Sequence, residues 1–221
     1  EQLAGLAEQL DTLAEVPTIS LTLASDLVFG DDSTSVSEFE WKPIAKFSGE
    51  FNGNGHTISG LNITSLDSVL GMFESFNGTV RNLTIAHSTL NYKAGSPNQY
   101  KYFYAGFFAG QAKADLINVH SIENMLHFED STSSIFERAH LGGIVGYLRG
   151  SADSCSNSSE IVADLKNIYA NIGGIVGESK KISNSINSGN ITVTGDNLYR
   201  RDVDVGGIAG EAYDHTTNSK N

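Results

Sequence analysis

Short glycine-centred strings recur along the chain and constrain its fold more than any other feature. Five of them place small residues between large apolar ones, and their marker glycines are Gly71, Gly106, Gly143, Gly174 and Gly207. The markers lie 35, 37, 31 and 33 residues apart. A period in this range is typical of a stacked array, in which each unit buries its apolar face only against its neighbours. The pattern favours an elongated scaffold or binding module over an enzyme with a pocket.

Glycine is expected at these positions because stacked β-coils lie only about 4.8 Å apart. A side chain at an inward corner would strike the next coil, and glycine also permits unusual backbone angles. The predicted structural set is Gly71, Gly106, Gly142, Gly143, Gly173, Gly174, Gly206 and Gly207. The first two strings, Gly71-Met72-Phe73-Glu74 and Gly106-Phe107-Phe108-Ala109, lack the final glycine of the later ones, so looser corners are expected there.

Composition excludes several classes of protein. The formal net charge is −12, and an acidic surface repels phosphate backbones, so nucleic acid is not an expected partner. No stretch approaches the roughly 18–20 apolar residues of a membrane span, so we expect no membrane insertion by this segment. The single cysteine, Cys155, cannot form an internal disulfide, and we expect it to be a small buried residue rather than a reactive thiol.

The chain opens with its one helical pattern. Apolar residues recur at spacings of three and four over residues 1–14, and Pro17 ends the pattern. We expect a capping helix over residues 1–17 that covers the open edge of a β-solenoid over residues 18–221. A helix docked against the side of the solenoid is the alternative. The chain also stops soon after the fifth string, so we expect it to be a truncated piece of a longer protein.

The densest local motif spans residues 47–63 and reads F-S-G-E-F-N-G-N-G-H-T-I-S-G-L-N-I. Its Asn-Gly pairs indicate turns, because both residue types tolerate positive φ. This motif, with the Gly-Gly-Ile-Val-Gly strings at 142–146 and 173–177, resembles the GLUG-repeat family over about residues 18–215. That family occurs in large bacterial surface proteins, including adhesin-like ones, and in non-catalytic parts of immunoglobulin A-cleaving metallopeptidases. The resemblance implies a cell-surface β-solenoid and no particular ligand.

The fold expected from both lines of reasoning is all-β. It is a right-handed parallel β-helix, or β-solenoid, of about five to six coils, since parallel crossovers are almost always right-handed. Stacked coils can also align identical polar side chains, and Asn184, Asn187 and Asn190 are candidates for amide ladders.

An aromatic run at residues 100–108 offers the best candidate for ligand contact. When the strings are aligned by their marker glycines, Tyr102 and Tyr104 point inward and Phe103 points outward. Exposed rings can stack on sugars or form a protein hot spot. The expected binding residues are therefore Tyr92, Tyr100 and Phe103, while core packing explains the rest of the run.

No catalytic or metal site is predicted. The six histidines show no metal-ligand spacing, and His56 is expected to stabilise its turn. Asp31-Asp32, and Asp202 with Asp204, could offer oxygens to calcium, but neither forms a complete loop motif, so solvated acids are expected. We therefore expect no cofactor, no metal and no enzyme activity.

The sequence favours an extracellular, non-catalytic module on a bacterial cell surface, monomeric within a longer chain. Its expected role is cell adhesion through a host protein or glycan, which the sequence does not identify. One alternative is the non-catalytic N-terminal region of a large secreted or wall-anchored metallopeptidase. A second is a polysaccharide-active β-helix enzyme, for which the fold class is the only support.

Overall fold

The computed structural model describes residues 5, 12, 17–65, 67–93, 101–130, 137–166, 168–196 and 202–221. All the elements named here are β-strands, and every strand pair among them is parallel. The strands are β1 (Thr18–Thr22), β2 (Leu27–Val28), β3 (Ile44–Asn52), β4 (Thr57–Ser59), β5 (Asn62–Thr64), β6 (Val69–Leu70), β7 (Phe73–Ala86), β8 (Thr89–Lys93), β9 (Tyr102–Ala105), β10 (Ala109–Ile122), β11 (Met125–Glu129), β12 (Arg138–Gly142), β13 (Val145–Asp153), β14 (Ser156–Asn157), β15 (Glu160–Lys166), β16 (Tyr169–Gly173), β17 (Val176–Ser183), β18 (Ile186–Asn187), β19 (Ile191–Asp196), β20 (Val203–Gly206) and β21 (Ala209–Thr217).

These strands form three sheets that wrap around one core. The first sheet contains β1-β3-β7-β10-β13-β17-β21 with β2, β4, β14 and β18 beside that path, the second β5-β8-β11-β15-β19, and the third β6-β9-β12-β16-β20. Within a coil the chain runs through the first, second and third sheets in turn, as β7, β8 and β9 do, and then enters the next coil. Five coils contribute to all three sheets within the described residues. The expected all-β parallel solenoid is confirmed, with about five turns.

Large aromatic side chains fill much of the core of the early coils, and aliphatic or smaller side chains fill the core of the later coils. A single inward column of the first sheet shows the change, because it runs Phe47, Phe76, Ala112, Leu148, Ser179 and Ala212. The rings of Phe47 and Phe76 stack with centroids 5.0 Å apart and an angle of 5° between them. Successive residues of a strand point inward and outward in turn. Because neighbouring coils pair in register, each column of residues stays on the same side of the sheet.

The glycines align in a register that differs by one residue from the sequence alignment. Ala105 pairs with Leu141, so Gly106 lies next to Gly142 and not Gly143. The column is therefore Gly71, Gly106, Gly142, Gly173 and Gly206. In this register Gly110 follows Ala109 as Gly146 follows Val145. The expectation that the second string lacks its final glycine is wrong, because that glycine is Gly110.

Close approach of neighbouring coils, and not an unusual φ, explains the paired glycines. A Cβ at Gly174 would lie 2.2 Å from the carbonyl oxygen of Gly207 and 2.3 Å from Cγ of Asn187. Positive φ among the described glycines occurs elsewhere, at Gly49, Gly55, Gly60, Gly78 and Gly195. The predicted turn at residues 54–55 is confirmed, since Asn54 and Gly55 have φ of 54° and 81°.

A ladder of buried amides runs along the solenoid beside the glycine pairs. Nδ2 of Asn157 donates to Oδ1 of Asn187 at 2.8 Å, and Nδ2 of Asn187 donates to Oδ1 of Asn221 at 2.8 Å. The predicted ladder is confirmed for Asn187. Asn184 accepts a longer bond from Nδ2 of Asn218 at 3.4 Å, whereas Asn190 is exposed and lies outside both ladders.

The expected capping helix over residues 1–17 lies outside the described residues, apart from Gly5, Thr12 and Pro17, and the structure gives it no support. No helix within the described ranges is long and apolar enough to cross a lipid bilayer.

We expect Gly174→Val to lower the free energy of unfolding by several kcal/mol, roughly 3 or more, because its side chain would overlap the backbone of the next coil. Thermal and urea unfolding measure this loss. Thr192→Val, at an exposed position of β19, is the control and is expected to stay within about 0.5 kcal/mol of the parent. Equal stability of the two variants would contradict the close-approach explanation.

Asn187→Ala is expected to cost about 2 kcal/mol, because it leaves the amides of Asn157 and Asn221 without their ladder partner. Asn190→Ala removes the same side chain from an exposed position and is expected to be neutral. Urea unfolding of both variants separates the ladder from a general effect of asparagine. A neutral Asn187→Ala would show that the ladder contributes nothing.

Candidate functional site

The outer faces of the third and first sheets meet at a concave corner that runs along the solenoid. Each of four coils contributes one outward residue from each sheet, seven positions apart in sequence. We call these eight residues the corner groove: Tyr104 and Gln111, His140 and Tyr147, Asn171 and Glu178, and Asp204 and Glu211. The corner is concave enough that His140, Asn171 and Glu178 are only 3%, 1% and 4% exposed although they face away from the core.

A second column of glycines allows the two sheets to approach at this corner. Its members lie at the start of the first-sheet strands and are Gly110, Gly146, Gly177 and Gly210. A Cβ at Gly146 would lie 2.6 Å from the amide nitrogen of Ala105 and 2.7 Å from the carbonyl oxygen of His140. Any larger residue would push the sheets apart. The final glycine of each string thus shapes the groove.

Aromatic rings line the N-terminal half of the corner groove. The rings of Tyr104 and His140 stack with centroids 5.1 Å apart and an angle of 14°. Tyr147 lies 5.7 Å from Tyr104 and 5.5 Å from His140. Tyr102 extends the row at 6.2 Å from Tyr104 and is 46% exposed. Burial, followed by the neighbouring phenol of Tyr147, raises the pKa of Tyr104. Tyr102, Tyr104 and Tyr147 keep part of their rings accessible to solvent, whereas His140 is buried.

Carboxylates and an amide line the C-terminal half. Nδ2 of Asn171 donates to Oε2 of Glu178 at 3.1 Å and to Oε2 of Glu211 at 2.7 Å. Nδ1 of His140 lies 3.0 Å from Oε2 of Glu178, in an orientation that makes an electrostatic contact and not a hydrogen bond. Nη1 of Arg138 lies 3.7 Å from Oε2 of Glu211. The two carboxylates therefore share a buried donor.

Glu178 is held in its ionised form. Burial by itself would raise the pKa of its carboxyl, but the close contact with His140, a hydrogen bond from Tyr213 and the charge of Arg138 outweigh burial and lower it. Partial loss of solvation and the hydrogen bond to Glu178 raise the pKa of the Tyr213 phenol, although Tyr213 is 65% exposed. The pair is a stable acceptor and donor at neutral pH and not a proton source.

Two shallow pockets lie on the first-sheet side of the groove. One, of about 440 Å³, is lined by Glu178, Lys180 and Tyr213 among others. The other, of about 330 Å³, is lined on the earlier coils by Ser75, Phe76, Asn77, Gln111, Ala112 and Lys113. Tyr147 and Arg149 border both pockets. Nε of Arg149 donates to the hydroxyl of Tyr147 at 3.3 Å, and its guanidinium carbon lies 5.4 Å from the ring centroid.

The structure places two of the three predicted binding residues inside the core. Tyr92 and Phe103 are 2% and 0% exposed, with ring centroids 4.6 Å apart, and both contact Phe128. The expectation that Phe103 faces outward is wrong, because Phe103 pairs with Ala139 and it is Tyr104 that pairs with the outward His140. Neither buried ring offers a face to a ligand. Tyr100 lies outside the described residues.

Several other predicted residues have local roles. Cys155 is buried as expected, and burial raises the pKa of its thiol to about 12. His56 lies 3.1 Å from Oδ1 of Asp26, which also accepts the amide of Thr57 at 2.9 Å, so it stabilises its turn. Asp32 accepts hydrogen bonds from the amide and hydroxyl of Thr34 within its own loop. No group of three or more potential metal ligands occurs among the described residues.

Sequence reasoning missed most of the corner groove, although the chain carries a signal for it. Four of the five strings are flanked by two polar or aromatic residues seven apart, as in His140-Leu-Gly-Gly-Ile-Val-Gly-Tyr147 and Asn171-Ile-Gly-Gly-Ile-Val-Gly-Glu178. The aromatic run at residues 100–108 is a more conspicuous sequence pattern than these flanking pairs. The flanking pairs gain meaning only when the corner is known to be concave.

Comparison with known proteins finds a solved structure with a similar fold and a protein with a distantly similar sequence. No family model matches the chain, so the GLUG-repeat resemblance stays a prediction. The chain is 27% identical over 190 residues to Halomucin of Haloquadratum walsbyi, which covers 76% of this chain and 2% of that protein. It also resembles a crystal structure from Bacteroides ovatus provisionally assigned as an immunoglobulin A1 protease, with a TM-score of 0.50 and 14% identity. That match covers 99% of this chain and 72% of the other, and it shows the fold alone.

The lowered pKa of Glu178 predicts a pH-dependent contribution to stability. The contribution is complete above the ordinary carboxyl value of 4.5 and is lost as the pH falls through the lower folded-state value. The melting temperature of the parent is therefore expected to fall more steeply below pH 4.5 than that of Glu178→Gln. Glu38→Gln, at an exposed loop position, is the control. Parallel pH profiles for all three proteins would contradict the assignment.

Proposed function

We propose that this chain is a non-catalytic, surface-exposed β-solenoid module of a larger protein, and that its corner groove contacts carbohydrate. The observation that carries the proposal is the groove itself, in which a row of tyrosines continues into a row of amide and carboxylate groups. Sugars present apolar ring faces and many hydroxyl groups. Aromatic faces and planar polar side chains are the groups that match these two properties.

The direction of the groove suits an extended polymer. Successive coils lie about 4.8 Å apart, so a chain lying along the solenoid would pass the exposed residues of the groove and its rim one coil after another. His140, Asn171 and Glu178 are buried and fixed by contacts with their neighbours, whereas Tyr102 and Tyr213 are 46% and 65% exposed. Polar groups that are already fixed lose little conformational entropy on binding.

The similarity to Halomucin supports a surface location for the chain. The chain spans about 2% of that protein, so the similarity supports a module in a very large protein and not the activity of the whole. The acidic net charge of −12 is consistent with a role outside nucleic-acid binding. We infer an extracellular site of action, with adhesion as the role.

A second candidate is a non-catalytic region of a secreted metallopeptidase. Its specific support is the fold shared with the structure provisionally assigned as an immunoglobulin A1 protease. The complete gene distinguishes the two candidates, because a zinc-peptidase motif downstream would favour the second. In either case the groove can bind the same ligand.

Glycoside hydrolysis receives less support from the same geometry. Such enzymes need one carboxyl held protonated near the second carboxylate. In the corner groove Asn171 donates to both Glu178 and Glu211, and the pKa of Glu178 is lowered. The lowered pKa favours the carboxylate form of Glu178, so Glu178 does not supply the protonated acid that the reaction needs. The groove is therefore better suited to binding.

A glycan array with the purified module tests the proposal. We expect binding to at least one class of linear glycan, and we expect Tyr147→Ala to weaken it about tenfold, because the ring borders both pockets. Phe39→Ala is the control. It removes a ring that is 84% exposed and that lies far from the groove residues in sequence. An array without binding, equal loss in the two variants, or turnover of a polysaccharide by the module would overturn the proposal.

A further inference from the structure

The pocket on the earlier coils concentrates positive charge on an acidic protein. Its charged lining residues are Lys113 and Arg149, and no carboxylate lines it, although the net charge of the chain is −12. Parallel pairing places Lys113 beside Asn77, and β13 carries Arg149 onto the next coil of the same column. A local patch of positive charge attracts anions even though the protein as a whole is acidic.

The polar groups around this pocket are free to bind a ligand. Among the described residues, the side chains of Asn77, Gln111 and Lys113 make no hydrogen bond or ion pair to other protein groups. Ser75, Gln111 and Tyr147 form the neighbouring outward column, so their side chains border the same space. The pocket thus presents amide, hydroxyl and ammonium donors from two adjacent columns.

Arg149 is oriented by its neighbour. Its Nε donates to the Tyr147 hydroxyl at 3.3 Å while the guanidinium lies over the ring, which limits the conformations of the side chain. The two Nη groups are not used in that hydrogen bond. A guanidinium held in this way can bind a carboxylate or sulfate through two parallel hydrogen bonds.

The neighbouring pocket carries charges of both signs, because Lys180 and Arg149 line it together with Glu178. Glu178 lies on its wall with an ionised carboxylate, and Tyr213 donates to that carboxylate. The carboxylate of Glu178 offsets part of the positive charge there, whereas no carboxylate lines the pocket of Lys113 and Arg149. The pocket of Lys113 and Arg149 is therefore the more favourable of the two for an anionic group.

We propose that the pocket of about 330 Å³ lined by Asn77, Gln111, Lys113, Tyr147 and Arg149 is a subsite for the acidic group of an anionic glycan. Lys113 and Arg149 bind the carboxylate or sulfate, Asn77 and Gln111 bind adjacent hydroxyl groups, and Tyr147 packs against the sugar ring. The volume is that of a small ligand site, enough for one sugar unit. This inference rests on the proposed function and names its ligand class.

Isothermal titration with three hexasaccharides tests the subsite. They are oligogalacturonate, which carries carboxylates, the same oligomer with its carboxyl groups reduced to alcohols, and a heparin-derived hexasaccharide, which carries sulfates. We expect at least one acidic oligomer to bind about tenfold tighter than the reduced one, and the preference to shrink as salt is raised. Because the heparin fragment carries carboxylates as well as sulfates, its binding in the absence of oligogalacturonate binding would show that the subsite takes sulfate.

The matched variants are Lys113→Gln with Arg149→Gln, and Lys181→Gln. The double variant is expected to remove the preference for the acidic oligomer, while the reduced oligomer binds it as it binds the parent. Lys181 is an exposed lysine on β17 outside both pockets, so its loss should leave the preference unchanged. Thermal melts of the variants confirm that folding is intact, since all three positions are exposed.

Two outcomes would overturn the subsite while leaving the proposed function in place. One is equal affinity for the acidic and reduced oligomers, and the other is an equal loss of preference in Lys181→Gln and the double variant. If neither these oligomers nor the glycan array shows binding, the proposed function fails and the subsite fails with it. Retention of the acidic preference by the double variant would also overturn the subsite.

Discussion

Parallel backbone hydrogen bonding between successive coils is the constraint on which the rest of this structure depends. It holds equivalent positions about 4.8 Å apart through the whole solenoid, so each position becomes a column. Columns of glycine form where backbones meet, as at Gly174 and Gly146, where an added Cβ would lie 2.2 Å and 2.6 Å from the nearest backbone atom. A column of asparagine forms where an amide can bond to the next, as between Asn157 and Asn187. One geometric rule thus produces both the corners and the polar ladders.

The same rule separates the core from the binding surface. Inward columns tolerate a change from Phe47 and Phe76 to Leu148 and Ser179 because each coil needs only to fill the space beside its neighbours. Outward columns do not have to fill a core. The concave corner is the exception, because His140 and Glu178 are buried there although they point away from the core. Variation along the groove, from aromatic to acidic, therefore changes what the surface can bind and also how the corner packs.

The glycine spacing was sufficient to predict a parallel solenoid and a column of close contacts, because both follow from the repeat itself. It was insufficient to orient Phe103 and Tyr104. The alignment placed Gly106 opposite Gly143, whereas the backbone pairing places it opposite Gly142, and a shift of one residue exchanges the two faces of a strand. The same error hid Gly110 as the final glycine of its string. Periodicity in the sequence carries an uncertainty of one residue, and in a β-strand that uncertainty decides inside from outside.

The sequence by itself determined the architecture of this protein: an all-β stack of about five turns, a turn at Asn54-Gly55, a buried Cys155 and an amide ladder through Asn187. These properties are local or repeat with the chain, so residue type and spacing are enough to predict them. Only the tertiary structure decided where a ligand could bind. The corner groove joins residues of different sheets and coils, such as Tyr104 with Tyr147 and Asn171 with Glu211. Its concavity and its charge depend on the angle between two sheets, and no spacing along the chain records that angle.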